Sequence, residues 1–166
     1  APFVITKPAY IEEIVSMAEI SANDVFYDVG CGAGQVLIHV AKYTKAKKIV
    51  GIEHNKELAQ SAEENVRKAG LDGKRVMIMH ADAMEADLSE ASCAYLYLTI
   101  DGMIKFEPQL AKMLKNGTRV VSMWPRQCDS EDNKAEELIR HYNPSTGIFA
   151  NEKTHSFGLK IYRWKA

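Results

Sequence analysis

The chain has 166 residues, 46% of them hydrophobic and 26% charged; this balance excludes a fibrous, disordered or disulfide-stapled protein and fits one domain that buries its own core. A formal net charge of −1 lacks the Lys/Arg excess that a broad nucleic-acid footprint requires. The three cysteines, Cys31, Cys93 and Cys128, contain no C-x-x-C pair, which signals neither a disulfide framework nor a zinc knuckle and fits thiols kept reduced in a cytosol-like compartment.

No apolar run approaches the ~20 residues that span a bilayer, and no charged-then-apolar signal peptide opens the chain. The expected location is cytoplasmic, although a start at Ala1 rather than Met leaves room for an upstream targeting or anchoring segment. Residues 1–166 are expected to form one domain, with 1–20 as an N-terminal arm and helix.

Thr6 is read as the N-cap of a first helix that carries Pro8 in its first turn and places Ile11, Ile14, Val15 and Ala18 on one face. Val25 to Val29 is a short β-rich run that breaks into Gly30-Cys31-Gly32-Ala33-Gly34, and Gln35 to Lys42 follows as a largely buried helix. Lys48 to Glu53 is the second strand. Asn55 caps the next helix, whose Leu58, Ala62 and Val66 share a face until Gly70. A third strand runs from Arg75 to His80, and Cys93 to Leu98 is an apolar strand of the type buried on both faces of a parallel sheet. Phe106, Leu110 and Met113 mark a helix that Asn116-Gly117 ends; Thr118 to Met123 is the fifth strand and Ser130 to His141 a further helix. Two strands between Thr146 and Trp164 have no helix between them, which predicts an antiparallel pair at one edge.

This alternation implies a three-layer α/β Rossmann-like fold with a mostly parallel seven-stranded sheet and an antiparallel edge hairpin. Ligands in such sheets sit beyond the carboxyl ends of the strands. The chemistry is therefore sought after Val29, Glu53, His80, Leu98 and Met123.

Asp28-Val29-Gly30-Cys31-Gly32-Ala33-Gly34-Gln35 combines a tight glycine turn, which lets a ligand approach the backbone, with a helix start that presents free N–H groups. Gln35 stands where a dinucleotide fingerprint calls for Gly or Ala, so a nicotinamide enzyme is the runner-up for this loop. Asp28 suits a cationic ligand, because a carboxylate beside a diphosphate repels it. Glu53, about twenty residues beyond the loop, is placed to accept hydrogen bonds from ribose hydroxyls. Asp82, with the backbone of Ala83, is placed to meet an exocyclic amine of adenine, and His54 to touch the adenosine edge.

These motifs resemble the class I S-adenosylmethionine-dependent methyltransferases: Asp28 to Gln35 their first motif, Glu53 their ribose-binding acid, and His80-Ala81-Asp82-Ala83 their adenine-side motif. Ala1 to Thr6, Leu96-Tyr97-Leu98 and Leu114 to Ser122 resemble a compact family of protein-lysine methyltransferases that includes archaeal broad-specificity enzymes and ATP synthase c-subunit lysine methyltransferases. Gly32 to Leu37 and Arg119 to Ser122 are also similar to the core of non-SET histone-lysine methyltransferases. The sequence departs from the compact family at Ala33, Thr99-Ile100 and Met123-Trp124.

The resemblance implies S-adenosylmethionine as cofactor, S-adenosylhomocysteine as product, and a lysine in a protein substrate as acceptor. The cofactor set is then Thr6, Asp28, Gly30, Cys31, Gly32, Gly34, Gln35, Glu53, His54, Asp82 and Ala83. Tyr97, Thr99 and Asp101 are the candidates for lining the channel or receiving the amine proton through water, while Phe3, Tyr10 and Trp124 are candidate channel walls. Asp129, Glu131, Asp132, Glu136 and Glu137 offer an acidic rim that would steer a lysine-rich peptide. The basic run Lys42, Lys45, Lys47 and Lys48 is read as complementing a helix C-terminus. Tyr97 to Asp101 lacks the Asn/Asp-Pro-Pro-aromatic signature of base-amine methylation. The five histidines show no ligand spacing, so no metal is expected. A methyltransferase for a small metabolite or RNA, and a non-catalytic S-adenosylmethionine-binding subunit, are the alternatives.

Overall fold

A computed structural model of the chain describes residues 6–71, 73, 75–98, 100–115, 117–124, 150–156 and 160–165. Seven strands form one sheet: β1 (Val25–Val29), β2 (Lys48–Glu53), β3 (Val76–His80), β4 (Cys93–Leu96), β5 (Arg119–Trp124), β6 (Ala150–Ser156) and β7 (Lys160–Lys165). Their order is β3-β2-β1-β4-β5-β7-β6. The first five are mutually parallel, while β7 runs antiparallel to both β5 and β6. The expected antiparallel pair is therefore present, with the last strand of the chain inserted between β5 and β6. The expected helix over Ser130 to His141 lies outside the described residues.

Four helices, α1 (Pro8–Ala18), α2 (Gln35–Tyr43), α3 (Lys56–Lys68) and α4 (Ile100–Met113), complete the fold. Strand side chains alternate between the two faces, and two cores result. Ile11, Ile14 and Met17 of α1 and Leu37 and Val40 of α2 pack with Phe26, Ile49 and Tyr95 on one face. Phe106 and Leu110 of α4 pack with Tyr27, Val29, Ile52 and Leu96 on the other. These are the three layers that the alternation predicts.

Two readings of the sequence change. Thr6 does not cap α1: Tyr10 N–H and Ile11 N–H both donate to the Lys7 carbonyl, at 2.9 and 3.2 Å, so Lys7 is the N-cap and Pro8 the first helical residue. Thr6 is instead buried, 8% exposed. Strand β4 ends at Leu96 rather than Leu98, because its neighbour β1 ends at Val29, the register partner of Leu96, and turns away into the glycine loop. Tyr97 and Leu98 thereby stand at the carboxyl edge of the sheet. The end of α2 carries Lys42 in its last turn, as the lysine run predicts, and Arg75 adds to it: its guanidinium donates to the carbonyls of Ala41, Thr44 and Ala46 at 3.2, 2.6 and 2.7 Å. Lys48 pairs with Glu90 at 2.6 Å.

The amino end of the sheet is held by a polar clasp. Asp24 accepts from the Arg119 guanidinium, from Ser92 Oγ at 2.6 Å and from the Ser21 N–H at 2.6 Å. Arg119 also donates to the Glu19 carbonyl at 3.0 Å, tying the end of α1 to the start of β5.

Candidate active site

The carboxyl ends of β1, β2 and β3 meet through their backbones. Gly30 N–H and Cys31 N–H both donate to the Ile52 carbonyl, at 2.8 and 3.0 Å, and Ala81 N–H donates to the Glu53 carbonyl at 3.1 Å. The glycine loop thus crosses the end of β2, and the segment after β3 lies on its other side. Gly30, Gly32 and Gly34 have φ of 81°, 54° and 81°, a region that a side chain strains. Gly34 also brings α3 close, since a Cβ there would stand 3.2 Å from Ala62 Cβ.

Glu53 is 9% exposed, and its carboxylate is engaged on both oxygens. Oε2 accepts the Gly32 N–H and Oε1 the Asn55 N–H, each at 2.8 Å. Because a carboxylate has about four lone-pair sites, these bonds leave acceptor capacity for hydroxyl donors. Asn55 in turn caps α3 by accepting the Leu58 N–H at 3.1 Å, as its position predicts.

Asp28, the fourth residue of β1, is 2% exposed. Its Oδ2 has no hydrogen-bond partner. Burial, reinforced by the neighbouring Glu53 charge, raises its pKa to about 8. Across the β1–β4 pairing its register partner is Tyr95, whose hydroxyl is buried beside Thr6. Burial and the adjacent Asp28 carboxyl push that phenol well above its usual range.

Cys31 is buried with its Sγ over Gly51, where an added Cβ would come within 2.7 Å of the sulfur and 2.5 Å of Leu37 Cδ1. Burial and the charges of Asp28 and Glu53 push its thiol far up, which keeps it protonated. Gln35 is the exposed first residue of α2, and Gly34 ahead of it supplies no side-chain cap to the first-turn N–H groups.

Asp82 is exposed and shapes its own turn: Oδ1 accepts the Met84 N–H at 2.9 Å, and its carbonyl accepts from Glu85 and Ala86 at 3.0 Å. Ala83 packs against the α4-side core. His54 is exposed, and its carbonyl oxygen lies 3.1 Å from His80 Nε2. Tyr10 and Tyr97 are half-buried against the α1-side core. Asp101 lies in the first turn of α4 and Trp124 ends β5. Phe3 and Thr99 fall outside the described residues, as do Asp129, Glu131, Asp132, Glu136 and Glu137.

Sequence reasoning missed Asn65, whose Nδ2 donates to the Ala33 carbonyl at 3.0 Å and pins the glycine loop to α3. Its helical position, one residue before the buried Val66, carried no signal of that contact. Among the described residues, no three His, Cys, Asp or Glu side chains gather as a group able to hold a metal ion. No helix of the described residues is long and apolar enough to cross a membrane.

This sheet order, glycine loop and set of acids at strand ends define a class I S-adenosylmethionine-dependent methyltransferase. The model of the ANTKMT methyltransferase domain matches residues 28–124, more than half of the chain, and the protein belongs to that family. It is 38% identical over 161 residues to a protein-lysine N-methyltransferase of Saccharolobus islandicus, covering 97% of this chain and 92% of that one. A histone-lysine N-methyltransferase specific for H3 lysine-79 from Dictyostelium discoideum is 28% identical over 96% of this chain, which spans 8% of that protein. Among solved structures, an RNA methyltransferase from Salinibacter ruber in complex with S-adenosyl-L-homocysteine superposes with a TM-score of 0.79 at 29% identity, covering 98% of this chain and 93% of that one.

Proposed function

We propose that the protein transfers a methyl group from S-adenosylmethionine to the side-chain amine of a lysine in a protein substrate. The observation that carries this reading is the 38% identity, over 97% of the chain, to a protein-lysine N-methyltransferase. The parallel five-stranded half and the appended hairpin lie in one sheet, which supports reading residues 1–166 as one domain. The buried free thiols of Cys31 and Cys93 support a reducing, cytoplasmic setting.

The residues present fit the cofactor. A buried carboxylate oxygen without a partner at Asp28 is costly unless a ligand supplies a donor, and Glu53 retains acceptor capacity beside the glycine loop. In this reading Asp28 faces the cationic end of the cofactor, Glu53 the ribose, and Asp82 with Ala83 the adenine, with His54 at the adenosine edge. Gly30, Cys31, Gly32, Gly34 and Gln35 give it a backbone cradle that Thr6 closes. When bound, S-adenosylmethionine supplies an electrophilic methyl group on a sulfonium centre.

The protein's remaining tasks are to align the acceptor and to keep its amine neutral. A lysine ammonium has an ordinary pKa of about 10.4, and removing water from around it favours the neutral amine. Phe3, Tyr10 and Trp124 are assigned to that water-excluding channel, and Tyr97, Thr99 and Asp101 to accepting the proton through water. The acidic segment Asp129, Glu131, Asp132, Glu136 and Glu137 is assigned to drawing in lysine-rich partners.

RNA is the second reading, favoured by the likeness to the Salinibacter ruber RNA methyltransferase. Incubating the purified protein with methyl-labelled S-adenosylmethionine and separated protein and RNA fractions of a lysate tests the two. Label on protein lysine supports the first reading, and label confined to RNA replaces it with the second.

A further inference from the structure

The two edges of the sheet are closed differently. At one edge lies β6, whose pairing with β7 shifts register between Asn151 and Lys153, where the sequence sets Glu152 beside Lys153; irregularities and charges of this kind keep an edge from pairing further. The other edge is β3. Its five residues, Val76-Met77-Ile78-Met79-His80, include no Asp, Glu, Lys, Arg, Pro or Gly. It pairs in unbroken register with β2, and among the described residues no strand lies on its other side.

The backbone fixes what that open side presents. The Arg75 carbonyl accepts the Ile49 N–H at 2.8 Å, and the Ala81 N–H donates to the Glu53 carbonyl at 3.1 Å, so residues 75, 77, 79 and 81 turn their polar groups toward β2. These directions alternate along a strand, and Val76, Ile78 and His80 therefore turn theirs outward. A second β3 set antiparallel about Ile78 meets all three. Ile78 opposite Ile78, and Val76 opposite His80, are then hydrogen-bonded pairs, while Met77 and Met79 face each other in the closer non-bonded pair. The strand matches itself, and Met77, 45% exposed, is covered.

Charge supplies a second match. On α3, which packs on β3 and α2, Asn65 reaches back to the glycine loop. Glu63 and Arg67 are exposed on the opposite flank, the one toward the β3 edge, at a spacing that places them on one stripe. Neither is in an ion pair among the described residues. A two-fold axis through the Ile78 pair also sets α3 antiparallel to its copy, so that each Glu63 approaches the Arg67 of the other chain.

We propose that β3 is a self-association edge, through which two copies of this chain join antiparallel over Val76–His80 and merge their 7-stranded sheets into one, with Glu63–Arg67 pairs across the two-fold axis. The candidate active sites then open at opposite ends of the joined sheet, and each copy keeps its own access.

Sedimentation equilibrium of the full chain at micromolar concentration is expected to give twice the chain mass of 18.6 kDa. Met77→Lys puts a charge on the edge and is expected to raise the dissociation constant at least about tenfold. Glu63→Arg sets like charges together on both sides of the axis and is expected to raise it roughly three- to tenfold, and adding Arg67→Glu to that variant restores it. These two exposed helix positions decide the matter should Met77→Lys fail to fold. In hydrogen exchange, dimerisation is expected to protect the amides of Val76, Ile78 and His80 and to leave those of Met77 and Met79, which already bond to β2, unchanged. A protein that stays at the single-chain mass, a dimer indifferent to the substitutions, a charge swap that restores nothing, or protection without this alternation overturns the proposal.

Discussion

The Glu53 carboxylate closes the glycine loop onto the end of β2 by accepting the Gly32 N–H at 2.8 Å, across 21 positions of sequence. With its second oxygen on the Asn55 N–H, it joins the glycine loop to the start of α3. Glu53→Gln keeps the shape but turns an amide NH2 toward a backbone N–H. A buried donor left unmet costs about 1–3 kcal/mol, a drop of several degrees in melting temperature for a chain of this size. Differential scanning calorimetry reads that drop, and S-adenosylhomocysteine titration is expected to weaken at least tenfold alongside it.

The raised Asp28 carboxyl makes ligand binding pH-dependent. Because the folded chain holds this proton more tightly than the unfolded chain does, stability of the unliganded fold falls as pH climbs from about 4 towards its folded pKa of about 8. A cationic ligand favours the carboxylate, so binding expels the proton below that pKa. Between pH 6 and 7 the affinity for S-adenosylmethionine, the cationic ligand, is expected to rise by up to about tenfold. Titration in buffers of different ionisation enthalpy should report the released proton, and Asp28→Asn should abolish both effects.

The Asp24–Arg119 clasp governs the acid limb of stability. Burial alone would raise the Asp24 carboxyl, but the Arg119 guanidinium, the Ser92 hydroxyl and the Ser21 amide together hold it far below its usual range. A depressed carboxyl contributes stability above its unfolded pKa of about 3.9, and that contribution is lost as pH falls through the folded value. Asp24→Asn is expected to cost about 3 kcal/mol at pH 7 by leaving Arg119 uncompensated. It should also flatten the decline of melting temperature below about pH 4, measured by thermal melts across that range.

Gly51 lies in the middle of β2, where an added Cβ would meet Leu37 Cδ1 at 2.5 Å and Cys31 Sγ at 2.7 Å. Gly51→Ala therefore pushes on the glycine loop from beneath. Overpacking of this kind costs about 1–3 kcal/mol. The melting temperature and the affinity for S-adenosylhomocysteine are expected to fall together, whereas a change in stability alone would mean that Cys31 yields without moving the loop.

What the sequence could reveal was local. Lys48–Glu53 appears as the strand that its apolar run predicts, and Asn55 caps α3 through its own side chain. Glu53 could be placed at a strand end by counting from the glycine loop. Its bond to Gly32 could not, because it depends on how two strands align. The cap of α1 is hidden for a similar reason: Pro8 suits the first turn whether Thr6 or Lys7 caps it, and the Tyr10 and Ile11 N–H bonds to the Lys7 carbonyl distinguish them. The bond between Arg119 and Asp24 spans 95 positions and leaves no periodic trace. Tyr95 reads as a core aromatic, and its packing is that of one.

The most direct test of the central claim is transfer of a labelled methyl group from S-adenosylmethionine, by the purified protein, into a lysate that is then resolved into protein, RNA and small molecules. The account predicts label in protein, traced by mass spectrometry to the side-chain amine of lysine. Label found only in RNA or in small molecules would contradict it.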